Sequence, residues 1–335
     1  MKFFKKLIKN RIFQVALILI VVFIALWNWP QEKIKTNYGV TFSAKYAREL
    51  KLDPKETLES IFTDLGVKKV RLVAYWDEVE NQNGKLDYSD LDWQIEMAKK
   101  YNVEVILSVG KRVPRWPECH IPYWALQLEP AAQDEALLKF VKETIVRYKD
   151  EDTVKVWQIE NEPFFGMYAK QYCGQFNVNT LDKEIALVKE NDPNAPVLIT
   201  DSGELSLWNY AYGKGDQFGS TFYVYVANYW FDDIRSAMSH NVYRFKKTVM
   251  SLIYGEKPSY LIEISIEPWL TKPIINTSFN EQLSRMNVKR AKTVLDIASQ
   301  TGFTEQYLWG AEWWFYLKLH GKPELWDYIK EVNKL

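Results

Sequence analysis

The sequence of 335 residues predicts an α/β fold, a (β/α)8 TIM barrel preceded by one N-terminal transmembrane helix. Three observations predict this fold: an apolar run near the N-terminus, a series of strand-like segments after residue 37, and helical patterns between those segments. Such alternation is typical of parallel βα units that close into a barrel. An open doubly wound sheet usually has a glycine-rich first turn, and this sequence has none.

The apolar run covers Ile12–Trp29, and as a helix it would span about 27 Å, close to the hydrocarbon thickness of a bilayer. Basic residues precede it, so residues 1–11 are expected in the cytoplasm and the rest of the chain outside. A cleaved signal peptide is the rival interpretation. We favour an uncleaved signal-anchor, because the run exceeds a usual signal-peptide core and no Ala-x-Ala-like site follows it.

Residues 30–37 form a polar linker, and residues 38–335 are expected to form one barrel domain, because no linker-like stretch divides them. The predicted strands are Tyr38–Ser43, Lys69–Ala74, Val103–Val109, Thr153–Ile159, Pro196–Thr200, Gly219–Val226, Ser259–Ile264 and Tyr307–Trp313. The predicted helices are Lys55–Leu65, Leu91–Tyr101, Asp134–Tyr148, Leu181–Asn191, Ile234–Tyr254, Asn280–Ser299 and Pro323–Val332. The unit between the fifth and sixth strands is short, with only Leu205–Tyr212 available as a helix.

Composition and motifs exclude several classes of function. The 43 basic and 43 acidic residues balance, which gives no electrostatic reason to expect nucleic acid as a partner. The three histidines lack the spacing of a metal site, and neither a P-loop nor a dinucleotide motif occurs, so no metal and no cofactor is expected. Cys119 and Cys173 are the only cysteines, and the sequence leaves open whether they pair.

Two acidic residues lie where a barrel carries its chemistry, at the C-terminal ends of strands. The fourth predicted strand runs into Glu160-Asn161-Glu162-Pro163, and the proline ends the strand. The seventh predicted strand contains Glu263 within the apolar run Tyr-Leu-Ile-Glu-Ile, where a carboxylate is costly to bury without a partner or a task. We therefore expect Glu162 and Glu263 to face one another across the barrel mouth.

The segment Trp157–Pro163, Trp-Gln-Ile-Glu-Asn-Glu-Pro, resembles the Asn-Glu-Pro motif of the cellulase-like clan of retaining (β/α)8 glycoside hydrolases, often called clan A. Matched by position, the resemblance implies that Glu162 is the acid/base and that Asn161 holds the sugar 2-hydroxyl. Lys257–Glu263 resembles the seventh strand of the clan, which implies that Glu263 is the nucleophile. Glu267, in the loop that follows, is the alternative nucleophile, and a substrate contact or a loop brace otherwise.

Further positions match the clan around these acids. Trp76–Asp92 resembles the segment after the second strand in several clan families, including some β-galactosidases, and Arg71 matches the active-site arginine. Arg71 is expected to pair with Glu160 or to keep the nucleophile ionised. Trp76 is expected to contact substrate, although a structural role is about as well supported.

Two aromatic positions are also implied by the resemblance. The clan places a tyrosine of the sixth strand against the nucleophile, and Tyr223 fits this spacing better than Tyr225. It also places a tryptophan under the sugar at the end of the eighth strand, where Trp313 is preferred to Trp314.

The resemblance implies a retaining glycoside hydrolase that cleaves O-glycosidic bonds of a β-linked glycan by double displacement, without a metal or cofactor. Its two carboxyls would be about 5–5.5 Å apart. The alternatives are a membrane-tethered, non-catalytic glycan-binding protein and a transglycosidase using the same two carboxylates. The expected partners are an oligosaccharide or polysaccharide substrate and the membrane, and the expected state is a monomer.

Overall fold

The computed structural model describes residues 14, 15, 18, 19, 29–166, 170–174, 176–227, 233–236 and 239–334. The predicted transmembrane segment Ile12–Trp29 lies outside the described residues except at positions 14, 15, 18, 19 and 29. Within the described ranges, no helix combines the length and the apolar character needed to cross a membrane.

Eight parallel strands close into a barrel, which confirms the predicted barrel architecture. They are β1 Asn37–Thr41, β2 Lys69–Tyr75, β3 Glu104–Gly110, β4 Val154–Ile159, β5 Val197–Asp201, β6 Gln217–Phe222, β7 Ser259–Ser265 and β8 Glu305–Trp309. Around the ring the order is β1, β8, β7, β6, β5, β4, β3, β2. A two-stranded antiparallel pair, Tyr225–Val226 with Ile234–Arg235, follows β6 outside the ring.

Helices connect the strands. They are α1 Ala44–Glu49, α2 Pro54–Thr63, α3 Trp76–Val79, α4 Ser89–Lys100, α5 Pro130–Tyr148, α6 Lys170–Cys173, α7 Val178–Asn191, α8 Asn209–Lys214, α9 His240–Tyr254, α10 Phe279–Arg285, α11 Val288–Ala298, α12 Ala311–Leu319 and α13 Glu324–Val332. The start of α2 shows how sequence sets such a boundary: Pro54 occupies the first turn, and the Asp53 side chain accepts from two backbone N–H groups.

Strand β7 departs from regular pairing at the position that carries its acid. Ser220 and Thr221 of β6 pair with Leu261 and Glu263, so β7 contains one residue more than its neighbour over this interval. The pairing with β8 shifts in the same interval. This β-bulge interrupts the alternation of side chains along β7. Ile262 packs in a buried apolar cluster, so regular alternation would turn the next residue, Glu263, to the opposite face. The bulge instead turns Glu263 toward the barrel mouth.

The last predicted strand is wrong in its bounds. We expected Tyr307–Trp313, but β8 ends at Trp309, and Ala311 begins α12. Gly310 separates the two elements with a φ of 121°, a conformation that suits glycine because it lacks a Cβ. The apolar residues beyond Gly310 are buried on a helix, and short buried helices and buried strands have the same apolar pattern in sequence.

Cys119 and Cys173, whose pairing the sequence left open, form a disulfide with their Cα atoms 5.2 Å apart. Cys119 lies in the loop after β3, and Cys173 ends α6 in the loop after β4. The disulfide therefore joins two neighbouring loops at the C-terminal end of the barrel.

Candidate active site

Glu263 is 2% exposed, and both of its carboxylate oxygens accept a hydrogen bond. Arg71 donates from Nη2 to Oε1 at 2.7 Å, and Tyr223 donates from Oη to Oε2 at 2.7 Å. A buried carboxylate is tolerated here because both oxygens have donors and one donor is charged. The structure therefore brings together three residues that the sequence singled out on β7, β2 and the end of β6.

Arg71 is fully buried, and its other nitrogen atoms are also bound. Its Nε donates to Thr41 Oγ1 at 3.0 Å, and its Nη1 donates to Gln158 Oε1 at 3.2 Å. The expected alternative, a pair between Arg71 and Glu160, does not form. Arg71 instead orients one face of the candidate nucleophile and, through Gln158, contacts the strand that leads to Glu162.

Glu162 follows β4 with a φ of 45°, and it is 7% exposed. Its backbone N–H donates to Thr200 Oγ1 at 2.9 Å, while its Oε1 accepts from Thr221 Oγ1 at 2.9 Å. Thr221 is also the residue paired with Glu263 in the strand register. The two acids therefore share Thr221 as a neighbour, and the charge of Glu263 acts on the Glu162 carboxyl.

Burial raises the pKa of Glu162 well above its usual range. The negative charges of Glu118 and Glu263 raise this pKa further, whereas Arg112 and the Thr221 hydroxyl lower it. A proton held to higher pH on one of two nearby carboxyls is the arrangement that an acid catalyst requires.

Asn161 is 1% exposed and directly precedes Glu162 in the sequence. Its Oδ1 accepts from Gln158 Nε2 at 3.1 Å, but its Nδ2 has no hydrogen-bond partner among the described residues. A buried donor without a partner is costly unless a ligand or water binds it. Nδ2 is thus available to an oxygen of a bound molecule.

Glu160 has a different role from the predicted pair with Arg71. Its two oxygens accept the backbone N–H groups of Lys111 and Arg112 at 3.0 and 2.7 Å. Gly110 makes room for this carboxylate, since a Cβ at that position would lie 2.6 Å from Glu160 Cδ. Glu160 therefore fixes the start of the loop after β3.

Arg112 and Glu118 extend the site from that loop. Arg112 donates from Nη1 to the carbonyl oxygens of Glu162 and Phe165, both at 2.6 Å. Its Nε and Nη2 donate to Glu118 Oε2 at 3.0 and 2.8 Å, and its Nη2 lies 3.7 Å from Glu162 Oε2. Glu118 was not predicted from the sequence, where its place beside Cys119 in the loop after a barrel strand is the only available signal.

Glu267, the alternative nucleophile, is bound as a loop brace. Its Oε1 accepts from Arg115 Nη1 at 2.7 Å and from Trp309 Nε1 at 3.2 Å. The Arg115 guanidinium lies between the rings of Tyr46 and Trp309, and its Nη2 donates to Glu312 at 2.8 Å. Trp309 thus occupies the end of β8, the place expected for Trp313.

Trp76 and Trp313 are fully buried in the core, so the expectation that they contact substrate has no support in their surroundings. Trp76 donates to Glu80 Oε2 at 2.9 Å and stacks on Phe140. Trp313 lies on α12 and donates to Gln282 Oε1 at 2.8 Å. In the described part of the chain, no cluster of three or more His, Cys, Asp or Glu side chains is arranged to hold a metal ion.

No family model matches the chain, and a search of curated proteins finds no match. Solved structures share the fold. A GH5_18 protein from Streptomyces cattleya, in complex with GlcNAc, is 12% identical with a TM-score of 0.59, covering 83% of this chain and 71% of its own. Xylanase 10B from Thermotoga petrophila, in complex with xylobiose, is 15% identical with a TM-score of 0.55, covering 82% of each chain.

A polyextremophilic β-galactosidase from the Antarctic haloarchaeon Halorubrum lacusprofundi is 13% identical with a TM-score of 0.54. The match covers 82% of this chain and 52% of the β-galactosidase, so this chain spans about half the length of that protein. At these identities the comparisons establish the fold alone. The chain shares the (β/α)8 barrel fold of these three proteins, which is the fold that its sequence predicted.

Proposed function

We propose that the chain is a retaining glycoside hydrolase that cleaves β-linked glycans, with Glu162 as acid/base and Glu263 as nucleophile. One observation carries the proposal: Thr221 pairs with Glu263 in the sheet and donates to Glu162, so two acids with different surroundings meet at the barrel mouth. One carboxylate is held by Arg71 and Tyr223, whereas burial and neighbouring charge raise the pKa of the other. Sugar complexes among the structural neighbours support a glycan as the substrate class.

In the first step, Glu162 donates its proton to the glycosidic oxygen, and that oxygen takes the bonding electron pair as the leaving group departs. A Glu263 oxygen attacks the anomeric carbon and forms a glycosyl ester. Arg71 and Tyr223 hold the attacking carboxylate in place. The free Asn161 Nδ2 donates to a hydroxyl of the bound sugar.

In the second step, Glu162, now a carboxylate, removes a proton from water as the water attacks the anomeric carbon. The ester bond breaks, and Glu263 is regenerated with the sugar configuration retained. A transglycosidase would use the same residues with a sugar hydroxyl in place of water.

The test is a panel of aryl β-glycosides and β-linked polysaccharides assayed with wild type, Glu162→Ala and Glu263→Ala. We expect hydrolysis by wild type and its loss in both variants. Glu281→Ala, a change at an exposed acid on α10, is the matched control and should retain activity. Binding of glycans without turnover in wild type would favour the non-catalytic glycan-binding protein. Full activity in either alanine variant would contradict the catalytic role assigned to the residue that it replaces.

We further propose that Ile12–Trp29 anchors a monomeric barrel outside the cytoplasm. The basic residues before this segment and the Cys119–Cys173 disulfide support that orientation, because disulfides persist in oxidising compartments. Cell fractionation should find the full chain in the membrane after an alkaline wash, with the barrel cleaved by protease added outside. Release into the soluble fraction would contradict the anchor.

A further inference from the structure

Two exposed tryptophans lie in loops at the C-terminal end of the barrel, and these loops follow strands on opposite sides of the ring. Trp116 lies in the loop after β3, and Trp269 lies in the loop after β7. In the ring of eight strands, β3 and β7 are four positions apart, which places them diametrically opposite. Trp116 is 65% exposed and Trp269 is 44% exposed, so each presents part of its indole ring to solvent.

Trp269 contacts Tyr223, which is a neighbour of the candidate nucleophile. Its ring packs edge-to-face against Tyr223, with centroids 5.3 Å apart and planes at 77°. The Tyr223 hydroxyl donates to Glu263. One tyrosine therefore sets the orientation of the indole and also contacts the carboxylate.

Trp116 lies in the loop that contacts the candidate acid. Its ring packs edge-to-face against Tyr172, with centroids 5.2 Å apart and planes at 78°. Its loop also carries Arg112, which contacts Glu162. The disulfide between Cys119 and Cys173 ties this loop to the segment that bears Tyr172, so the aromatic pair is held at the rim.

We propose that Trp116 and Trp269 are stacking platforms for two parts of one glycan chain, so that the scissile bond lies in the interior of a β-linked oligosaccharide. The inference rests on the proposed function. The acid protonates the leaving group, and the nucleophile retains the other sugar, so Trp116 binds the leaving part and Trp269 binds the retained part. An indole suits both positions because a pyranose ring presents an apolar C–H face to it.

The first experiment measures binding without turnover. Glu263→Gln protein is titrated by calorimetry with cellohexaose, xylohexaose, mannohexaose and laminarihexaose. At least one should bind, and Trp116→Ala or Trp269→Ala should each weaken its binding roughly three- to tenfold. Phe245→Ala is the matched control, because Phe245 is a 69% exposed aromatic residue on the outer helix α9, and it should leave the Kd within about twofold. Failure of all four hexasaccharides to bind, or binding unchanged by both tryptophan variants, would overturn the inference.

The second experiment follows products from the same hexasaccharide, labelled at its reducing end, with wild-type protein. Interior cleavage should give first products of two or more sugars on each side of the broken bond. Removal of single sugars from a chain end would overturn the inference while leaving the proposed hydrolase intact. Hexasaccharide binding that requires both tryptophans, without turnover of any substrate, would defeat the proposed hydrolase while leaving the two platforms supported.

Discussion

Arg71 donates from Nη2 to Glu263 Oε1 at 2.7 Å, and this ion pair is buried, because the two side chains are 0% and 3% exposed. This pair connects β2 with β7 inside the barrel. We predict that Arg71→Met destabilises the fold by about 3–5 kcal/mol, because it leaves a buried carboxylate without its cationic partner. Urea unfolding measures the effect.

The matched control for Arg71 is Lys99→Met. Lys99 pairs with Glu151 on the surface, where the two side chains are 66% and 35% exposed, so its loss should cost less than about 1 kcal/mol. Equal destabilisation by the two changes would contradict the assigned importance of the buried pair.

Glu118 should raise the pH above which activity is lost, in addition to the larger effect of burial on Glu162. Its negative charge raises the pKa of Glu162, and its contact with Arg112 occupies that cation. Glu118→Gln removes a like charge, so the pKa of Glu162 should fall, and kcat/KM should decline at lower pH than in wild type. Glu151→Gln, at a surface pair with Lys99, should leave the profile in place, and a shift to higher pH in Glu118→Gln would contradict the account.

Gly110 and Gly84 provide a matched pair of glycine substitutions. Both have positive φ, 147° and 76°, so alanine introduces backbone strain at each. Only at Gly110 would the new Cβ overlap the Glu160 carboxylate, whereas nothing lies within 4 Å at Gly84. Gly110→Ala should lower the free energy of unfolding by about 1–3 kcal/mol more than Gly84→Ala, as measured by urea unfolding. Equal losses in the two variants would show that the Glu160 carboxylate can move away from the new Cβ.

The disulfide should stabilise the barrel as well as join the loops. Its cysteines are 54 residues apart, and loop-closure entropy for that separation gives at most about 4 kcal/mol. Wild type treated with reductant and the double variant Cys119→Ser, Cys173→Ser should unfold at the same lower urea concentration. Unchanged unfolding after verified reduction would argue against a constraint on the unfolded chain.

The sequence predicts the barrel well because parallel strands buried on both faces appear as short apolar runs between helical patterns. The same property explains the error at β8. Trp313 and Trp314 continue an apolar run, and apolar character alone does not distinguish a buried strand from a buried helix. Gly310 was the available signal for the boundary, and the position at the strand end belongs to Trp309.

The acids and their partners on strands were predictable, whereas contacts made by loops were not. Arg71, Tyr223 and Glu263 meet because strand ends converge in a closed barrel. The bulge that turns Glu263 inward has no sequence signature, because it arises from the register between neighbouring strands. Glu118 reaches the site through the conformation of a loop, which neither periodicity nor strand position predicts.

Azide rescue tests the central assignment of Glu263 and Glu162 most directly. An aryl β-glycoside with an activated leaving group is incubated with azide and each alanine variant, and the product anomer is read by NMR. Glu263→Ala should give the α-glycosyl azide, because azide replaces the missing nucleophile, and Glu162→Ala should give the β-glycosyl azide from the glycosyl ester. A β-azide from Glu263→Ala, or wild-type hydrolysis by that variant without azide, would contradict the mechanism.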